Sequence, residues 1–327
     1  MDKIKAEVCS ALAGKASNRE IFGGVRCDER PSLLRYNVTY IVAAVLVRES
    51  DDGKDHEILM MQEAKASCRG LWYLPAGRLE DNETLVDGVK REVLEETGLL
   101  FEPNAMLVVE SQWLQWLRFT FTGYPLGGKL KTESDSDKES LQAQWISWKQ
   151  LTSTEWQNQL RAPDIMPLIR QTLQWHKEDK EKKIYIVPSL VPLTHCFVKI
   201  VLVEKIAKDS TSSFRVYVGH SSSPSIPLVC ASRIDSLVSV CREGLKSFGY
   251  KRSIRIVGLC GVEHDGSMTK HVKSDGLCLT VLVISDDSEA KAQTDSDRNC
   301  WVEFDDKPTC QLIERLMLPN GSISICH

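Results

Sequence analysis

Three glutamates in one short segment have a spacing that favours metal chemistry. Glu92, Glu95 and Glu96 stand at positions i, i+3 and i+4, which a helix brings to one side on neighbouring turns. Carboxylates placed this way repel one another, so a cation that compensates their charge is expected. Oxygen ligands of this kind suit Mg²⁺, with Mn²⁺ as a substitute. An acidic surface facing only water is the alternative interpretation.

A helix with defined ends must position these glutamates, and the sequence predicts one over residues 84–97. Asn82 is the predicted N-cap, because its side chain can accept a hydrogen bond from a free N–H of the first turn. Gly98 is the predicted C-terminal end, since glycine readily adopts the left-handed conformation. The inward face is formed by apolar residues that recur every four positions: Leu85, Val89 and Val93.

A longer pattern encloses the three glutamates. It consists of Gly77, Glu83, Arg91-Glu92, Glu95-Glu96 and Gly98, followed by the aliphatic Leu99. This spacing resembles the Nudix box of the Nudix hydrolases without a departure. The resemblance implies an α/β Nudix fold, in which a mixed β-sheet lies between helices. It also implies an enzyme that hydrolyses compounds in which a nucleoside diphosphate is linked to a further group.

The same resemblance assigns roles to individual residues. It makes Glu92, Glu95 and Glu96 catalytic metal ligands, and Glu92 or a neighbour also helps to deprotonate water. It gives the backbone carbonyl of Ala76 to the metal. It assigns structural support to Gly77, Gly98 and a buried ion pair between Glu83 and Arg91.

A further carboxylate is a candidate general base on a loop. Glu139 stands six residues before Trp145, and it matches the position of a loop glutamate in related nucleotide-pool sanitising enzymes of the family. General bases on loops often complete sites of this type. The alternative is that Glu139 is a solvated member of the acidic run 133–139.

Segments outside the box suggest the substrate. Residues 62–65, 68–70, 72–78 and 275–279 resemble the animal 8-oxo-dGDP phosphatase group within the family. This resemblance implies hydrolysis of 8-oxo-dGDP and 8-oxo-GDP to monophosphates and phosphate, which clears damaged precursors from the nucleotide pool. Nucleoside diphosphate sugars or dinucleotide polyphosphates are alternative substrates. A module that only senses a nucleotide is a further alternative, against which the intact box argues.

Residue types around the box suggest where a nucleotide could bind. Four aromatic residues offer flat surfaces on which a base could stack: Trp72, Tyr73, Trp113 and Trp116. Core packing explains aromatic residues more often. Arg118 could meet a phosphate. Arg78, directly after Gly77, is the remaining candidate for substrate binding.

Length and composition predict how the chain is organised. With 327 residues, two domains are expected. The predicted segments are a flexible N-terminus (1–33), a catalytic Nudix domain (34–174), a charged linker (175–183) and a second α/β domain (184–327). The net charge of −4 implies no general attraction to nucleic acids or anionic membranes.

Neither a membrane-spanning run nor a secretory signal is predicted. We therefore expect a cytoplasmic protein, with the nucleus as an alternative. The eleven cysteines lack C-x-x-C pairing, which favours reduced thiols over a disulfide framework.

The second half carries traces of a duplicated fold. Residues 89–99 align with residues 240–250, and residues 40–47 align with residues 196–203. In this alignment Lys246 and Ser247 replace the paired glutamates, Leu228 replaces Gly77, and Ile234 replaces Glu83. We therefore predict a degenerate Nudix-like domain without a metal site. It would support the first domain by packing, form a homodimer surface or bind a protein partner.

Overall fold

The computed structural model divides the chain into two units. The first unit comprises Thr39–Glu110 and Leu117–Val187, and the second comprises Met1–Val38, Ser111–Trp116 and Pro188–His327. The structure describes residues 2–16, 18–23, 25–27, 31–112, 116–181, 183, 185–208, 211–219, 225–231, 236–266, 274–285, 300–319 and 321–326. Ile234 of the predicted repeat and Trp113 of the predicted base-stacking residues lie outside these residues.

The described part of the chain contains both α-helices and β-strands. The helices are α1 (Asp2–Leu12), α2 (Arg19–Gly23), α3 (Leu85–Thr97), α4 (Trp148–Leu151), α5 (Thr154–Gln157), α6 (Ile165–Lys177), α7 (Leu237–Ser247) and α8 (Lys307–Leu316). The strands of the first half are β1 (Thr39–Ala44), β2 (Val47–Glu49), β3 (His56–Glu63), β4 (Trp72–Tyr73), β5 (Ala76–Arg78), β6 (Leu99–Gln112), β7 (Trp116–Gly128) and β8 (Ser140–Ser147). Those of the second half are β9 (Cys196–Lys208), β10 (Thr211–Tyr217), β11 (Leu228–Cys230), β12 (Ile254–Glu263), β13 (Leu277–Ser285), β14 (Trp301–Phe304) and β15 (Ser324–Cys326).

Two sheets and the helix between them form the core of the first unit. Strands of one sheet follow the order β6-β7-β1-β5, and in the other sheet β3 pairs with β2, β4 and β8. Helix α3 contacts β1 and β5 of one sheet and β3 and β8 of the other. The described strands and helices therefore form a mixed α/β fold, as predicted.

The structure has the predicted C-terminal end of helix α3 but a different N-cap. Gly98 adopts the left-handed conformation with φ 77°, and its N–H donates to Leu94 O. The N-cap is Thr84, whose side chain accepts from Asp87 N, so the predicted cap at Asn82 is wrong. Asn82 is itself left-handed, with φ 63°. Asparagine tolerates that conformation better than most residues, so Asn82 forms the turn that precedes the cap.

The N-terminal segment contains a packed helix, which contradicts the predicted flexibility of residues 1–33. Helix α1 buries residues at a spacing that forms one helical face: Ile4, Val8, Ala11 and Leu12. This face packs in a core with Val201, Phe214 and Phe304. The amphipathic pattern was present in the sequence, but only a core in the second half of the chain gives it a surface to cover.

The first residues of the predicted linker, 175–183, belong to a helix of the first unit. Helix α6 extends to Lys177, and Trp175 is buried. Its ring meets the Tyr185 ring edge-on at 5.6 Å, and the Lys183 ammonium lies 4.8 Å from the same ring. A buried aromatic side chain therefore fastens this charged run to the first unit.

The second unit repeats the strand order of the first. Strand β13 lies between β12 and β9, and β11 pairs with β9, which gives the order β12-β13-β9-β11. Helix α7 follows β11 as α3 follows β5. On α7 the Lys246 ammonium pairs with Glu243 at 2.6 Å, so the acidic cluster of α3 has no counterpart there.

One pair of cysteines departs from the expected reduced state. Cys27 and Cys230 are joined as a disulfide with a Cα–Cα distance of 5.5 Å. The other cysteines for which the structure gives a state are free. Because 203 residues separate the two cysteines, no local motif could have predicted the pair. None of the described helices has the length and apolar character needed to cross a membrane.

Candidate active site

Two buried carboxylates of α3 lie against strand β5. Glu96 is 2% exposed, and its Oε2 accepts a hydrogen bond from Ala76 N–H at 2.8 Å. Glu92 is 6% exposed, and a Cβ added to Gly77 would lie 2.0 Å from Glu92 Oε1. Gly77 is therefore required for space, because its bare backbone leaves room for the Glu92 carboxylate.

The register of β5 directs the backbone of Ala76 towards these carboxylates. Ala44 N–H donates to Pro75 O, and Ala76 stands opposite Ala43. Hydrogen-bonded and non-hydrogen-bonded pairs alternate along antiparallel strands, so Ala76 directs both its N–H and its C=O away from β1. Since the N–H reaches Glu96, the carbonyl lies on the same side of the strand. This orientation suits the predicted role of that carbonyl as a ligand.

Arg91 connects the loop before α3 to the glutamates of the helix. Its Nε and Nη2 donate to the two carboxylate oxygens of Glu83 at 2.7 and 2.9 Å, so the structure contains the predicted ion pair. Its Nη1 also donates to Glu92 Oε1 at 2.8 Å and to Glu95 Oε2 at 3.1 Å. The hydrogen bonds to Glu83 are the main cause of a raised Arg91 pKa. One guanidinium therefore orients three carboxylates.

Burial makes the ionised forms of two glutamates costly. It raises the pKa of the Glu92 carboxyl, and Arg91 opposes the shift. It raises the pKa of Glu96 well above its usual value, and the charge of Glu92 adds to the effect. A nearby cation would favour both ionised forms. The two carboxylates therefore have an electrostatic requirement that a divalent ion can satisfy.

The donor set fits such an ion, although the side chains are bonded to other partners here. Across the described residues, no three His, Cys, Asp or Glu side chains converge as a metal cluster. The reason is that Glu95, 42% exposed, and Glu92 turn to Arg91, while Glu96 turns to Ala76. All four predicted ligands nevertheless offer oxygen, as Mg²⁺ prefers.

The loop that carries Glu139 is fastened to the C-terminal end of α3. Ser140 Oγ donates to Glu96 O at 2.7 Å, and Lys131 Nζ donates to Glu95 O at 3.0 Å. Glu139 is 33% exposed, and its Oε1 lies 3.3 Å from Lys138 Nζ. Glu139 is thus accessible and is the direct neighbour of a residue bonded to Glu96.

The predicted nucleotide-binding residues differ in how deeply they are buried. Trp72 is buried, and its ring packs against Trp156 at 5.6 Å. Trp116 is partly buried at the start of β7 and belongs to the second unit. The side chain of Arg78 is exposed on β5, and its carbonyl accepts from Arg91. Of these three, Arg78 is the one with an exposed side chain.

Arg118 is bound within the unit, which contradicts its prediction as a phosphate ligand. Its guanidinium forms two hydrogen bonds with Glu110, at 2.5 and 2.9 Å. It also donates to Tyr73 OH at 2.7 Å and to Asp164 Oδ2 at 2.8 Å. Burial and the neighbouring Asp164 help raise the Tyr73 pKa to about 12. The buried network explains the residue types that the sequence suggested for a nucleotide.

We expect Arg118→Met to destabilise the fold and to leave the Michaelis constant of folded protein almost unchanged. Removing one partner of a buried ion pair costs about 3–5 kcal/mol, because a buried charge is left uncompensated. Urea unfolding would measure the loss. The control is Arg78→Met, which is expected to be neutral in stability and to raise the Michaelis constant. A stable Arg118→Met variant with a raised Michaelis constant would restore the phosphate role.

Sequence reasoning missed a fourth carboxylate close to this site. Glu63, the last residue of β3, is 1% exposed. Arg161 Nη1 donates to its Oε1 at 2.6 Å. A charged residue at the end of a strand with the apolar run Ile58–Met61 was the available signal, because charges are rarely buried without a partner.

Comparison with known proteins identifies the family. The model of the NUDIX domain matches residues 39–169. The chain is 35% identical to the 8-oxo-dGDP phosphatase NUDT18 of Homo sapiens over 294 residues, which are 86% of this chain and 83% of that protein. This chain belongs to the NUDIX hydrolase family, and it is a hydrolase of nucleoside diphosphate compounds.

A second relative and one solved structure are also similar to this chain. The chain is 34% identical to the 8-oxo-dGDP phosphatase NUDT18 of Danio rerio, over 92% of this chain and 91% of that protein. A solved NUDIX hydrolase from Nitrosomonas europaea covers 45% of this chain and 96% of its own, at 27% identity and a TM-score of 0.35. Hydrolases of this family generally need a divalent metal ion such as Mg²⁺. Similarity to the two phosphatases extends well beyond residues 39–169.

Proposed function

We propose that this enzyme hydrolyses 8-oxo-dGDP and 8-oxo-GDP to the monophosphates and phosphate, and so removes oxidised guanine nucleotides from the nucleotide pool. The observation that carries the proposal is the identity of about a third to proteins named 8-oxo-dGDP phosphatase, over most of each chain. The oxygen donors of the site support the chemistry. Glu92, Glu95, Glu96 and the Ala76 carbonyl would hold Mg²⁺, or Mn²⁺ in its place.

The reaction is a substitution at phosphorus by water. When bound, the metal neutralises phosphate charge and lowers the pKa of a coordinated water. The water oxygen forms a bond to phosphorus, the anhydride P–O bond breaks, and Glu139 accepts the proton that water loses. Arg91 keeps Glu83, Glu92 and Glu95 in fixed positions, which limits reorganisation during the reaction. Arg78, exposed beside Gly77, would meet the negatively charged substrate.

The second unit is proposed to be a Nudix-like scaffold without a metal site. Its strand order supports this proposal, together with the pairing of Lys246 with Glu243 on α7. Leu228 is buried in β11, at the alignment position of Gly77. A side chain therefore fills the place where the first unit has an open backbone.

A panel of nucleotides would test the substrate. The purified chain with Mg²⁺ would receive 8-oxo-dGDP, dGDP, 8-oxo-dGTP, ADP-ribose and diadenosine tetraphosphate, and products would be separated by chromatography. We expect kcat/KM for 8-oxo-dGDP to exceed that for dGDP at least tenfold, which corresponds to about 1.4 kcal/mol of discrimination. Preferred cleavage of ADP-ribose or the dinucleotide would support the alternative pyrophosphatase function. Binding of 8-oxo-dGDP without product would support a sensing module.

A further inference from the structure

The carboxylate of Glu63 has one oxygen that accepts no hydrogen bond from the described residues. Arg161 takes Oε1, whereas Oε2 has no hydrogen-bond partner among the residues that the structure describes. The Lys65 ammonium forms an ion pair with Oε2 at 3.9 Å, a distance too long for a hydrogen bond. A buried carboxylate oxygen without a donor costs free energy. Such an oxygen suggests a ligand that supplies positive charge.

Strand pairing places Glu63 beside the acidic end of α3. Glu63 stands opposite Ser140 in the pairing of β3 with β8, and Ser140 Oγ donates to the carbonyl of Glu96. Residues paired across antiparallel strands direct their side chains to the same face of the sheet, so the Glu63 side chain lies on the face from which Ser140 reaches Glu96. Glu63 therefore lies on the same face of the sheet as the end of α3 that carries Glu96.

The backbone and Arg161 hold Glu63 in this orientation. Glu63 N–H donates to Leu71 O at 2.9 Å, and Glu63 O accepts from Gly70 N–H at 2.9 Å. Arg161 is itself fixed, because its N–H donates to Trp72 O at 2.9 Å and its guanidinium lies 4.7 Å from the Tyr73 ring centre. The carboxylate is thus positioned before any ligand arrives.

Comparison with a second buried ion pair shows that holding an arginine does not require a carboxylate oxygen to be left without a hydrogen bond. In the Glu110–Arg118 pair both carboxylate oxygens accept hydrogen bonds from the guanidinium. Bidentate pairing of this kind is the stronger arrangement for arginine and a carboxylate. Glu63 gives Arg161 one oxygen and leaves the other without a hydrogen bond.

We infer that Glu63 is a further residue of the divalent-cation site, and that its Oε2 binds the ion directly or through one of the ion's waters. This inference rests on the proposed metal-dependent function. It adds to the site a carboxylate from outside the Nudix box, carried by β3 instead of α3. Arg161 has the supporting role of orienting that carboxylate.

The test is the binding of Mn²⁺ alone, followed by electron paramagnetic resonance of the free ion. Glu63→Gln keeps an oxygen for Arg161 and removes the charge, and it is expected to weaken Mn²⁺ binding about tenfold, as loss of a supporting group does at other metal sites. Glu57→Gln is the matched control, because Glu57 lies on the same strand and pairs with Arg48 at 2.6 Å. Glu96→Gln serves as the reference for loss of a proposed ligand.

The outcomes separate this inference from the function on which it rests. Unchanged Mn²⁺ binding in Glu63→Gln, with binding lost in Glu96→Gln, would show that Glu63 only anchors Arg161 and would leave the metal site intact. Unchanged binding in both variants would overturn the proposed metal site itself. If Glu63→Gln does not fold, Glu63→Asp is used instead. It keeps the charge but moves the carboxylate oxygens back towards the strand, because its side chain is one methylene group shorter. Full Mn²⁺ affinity in that variant would overturn the inference.

Discussion

Replacing Glu96 with glutamine is expected to lower kcat about a thousandfold, a loss of roughly 4 kcal/mol in stabilisation of the transition state. The loss follows from removing one of the charges proposed to hold the metal ion, whose contribution to such reactions is several kcal/mol. Phosphate release from 8-oxo-dGDP with saturating Mg²⁺ measures it. Near-normal turnover in this variant would contradict the assignment of Glu96 as a ligand.

The fold should survive this substitution, so the activity loss can be attributed to chemistry. Glutamine retains an oxygen that can accept the hydrogen bond from Ala76 N–H. It also removes a buried charge that repels Glu92. We therefore expect thermal stability in the absence of metal to be equal to or above that of the unmodified chain. Glu243→Gln on the exposed face of α7 is the control, and it should leave both activity and stability unchanged.

Replacing Gly77 with alanine is expected to lower kcat about a hundredfold. The added Cβ would lie 2.0 Å from Glu92 Oε1, which is far inside contact distance, so the carboxylate must move. A displacement of about 1 Å at a catalytic group can cost a hundredfold in rate. Steady-state kinetics with 8-oxo-dGDP would measure the effect, and circular dichroism would verify the fold.

Gly53→Ala is the matched control for this variant. Gly53 has a left-handed φ of 67°, and an added Cβ would meet nothing within 4 Å. This change is therefore expected to cost stability of about 1 kcal/mol through backbone strain and no activity. Full activity in Gly77→Ala would mean that the Glu92 carboxylate is not needed at its observed position. Loss of activity in both variants would point to a general effect of glycine replacement.

The chemistry of α3 could be predicted from the sequence because its determinants are local. Glu92, Glu95 and Glu96 share one side of a helix by spacing alone, and Gly98 ends the helix where left-handed backbone is required. The exact start could not be predicted. Asn82 and Thr84 are both acceptable N-caps, and the choice depends on backbone angles that the surrounding loop sets.

Other parts of the site depend on strand pairing and on distant partners. Glu63 and Glu96 are far apart in sequence, and the register of β3 with β8 brings them together. Arg118 has a charge that suits a phosphate, but Glu110 and Asp164 engage it within the first unit. A side chain's type states what it can bind, whereas its partner depends on which groups folding places nearby.

The sequence by itself determined the carboxylate helix, its inward face and the family of the enzyme, because short-range spacing and periodicity encode all three. The tertiary structure alone decided that α1 is packed, that Cys27 meets Cys230 and that Arg91 binds Glu92 and Glu95 as well as Glu83. It also added Glu63 to the surroundings of Glu96. These features require contacts between separate elements, whose burial and hydrogen bonding exist only once the chain has folded.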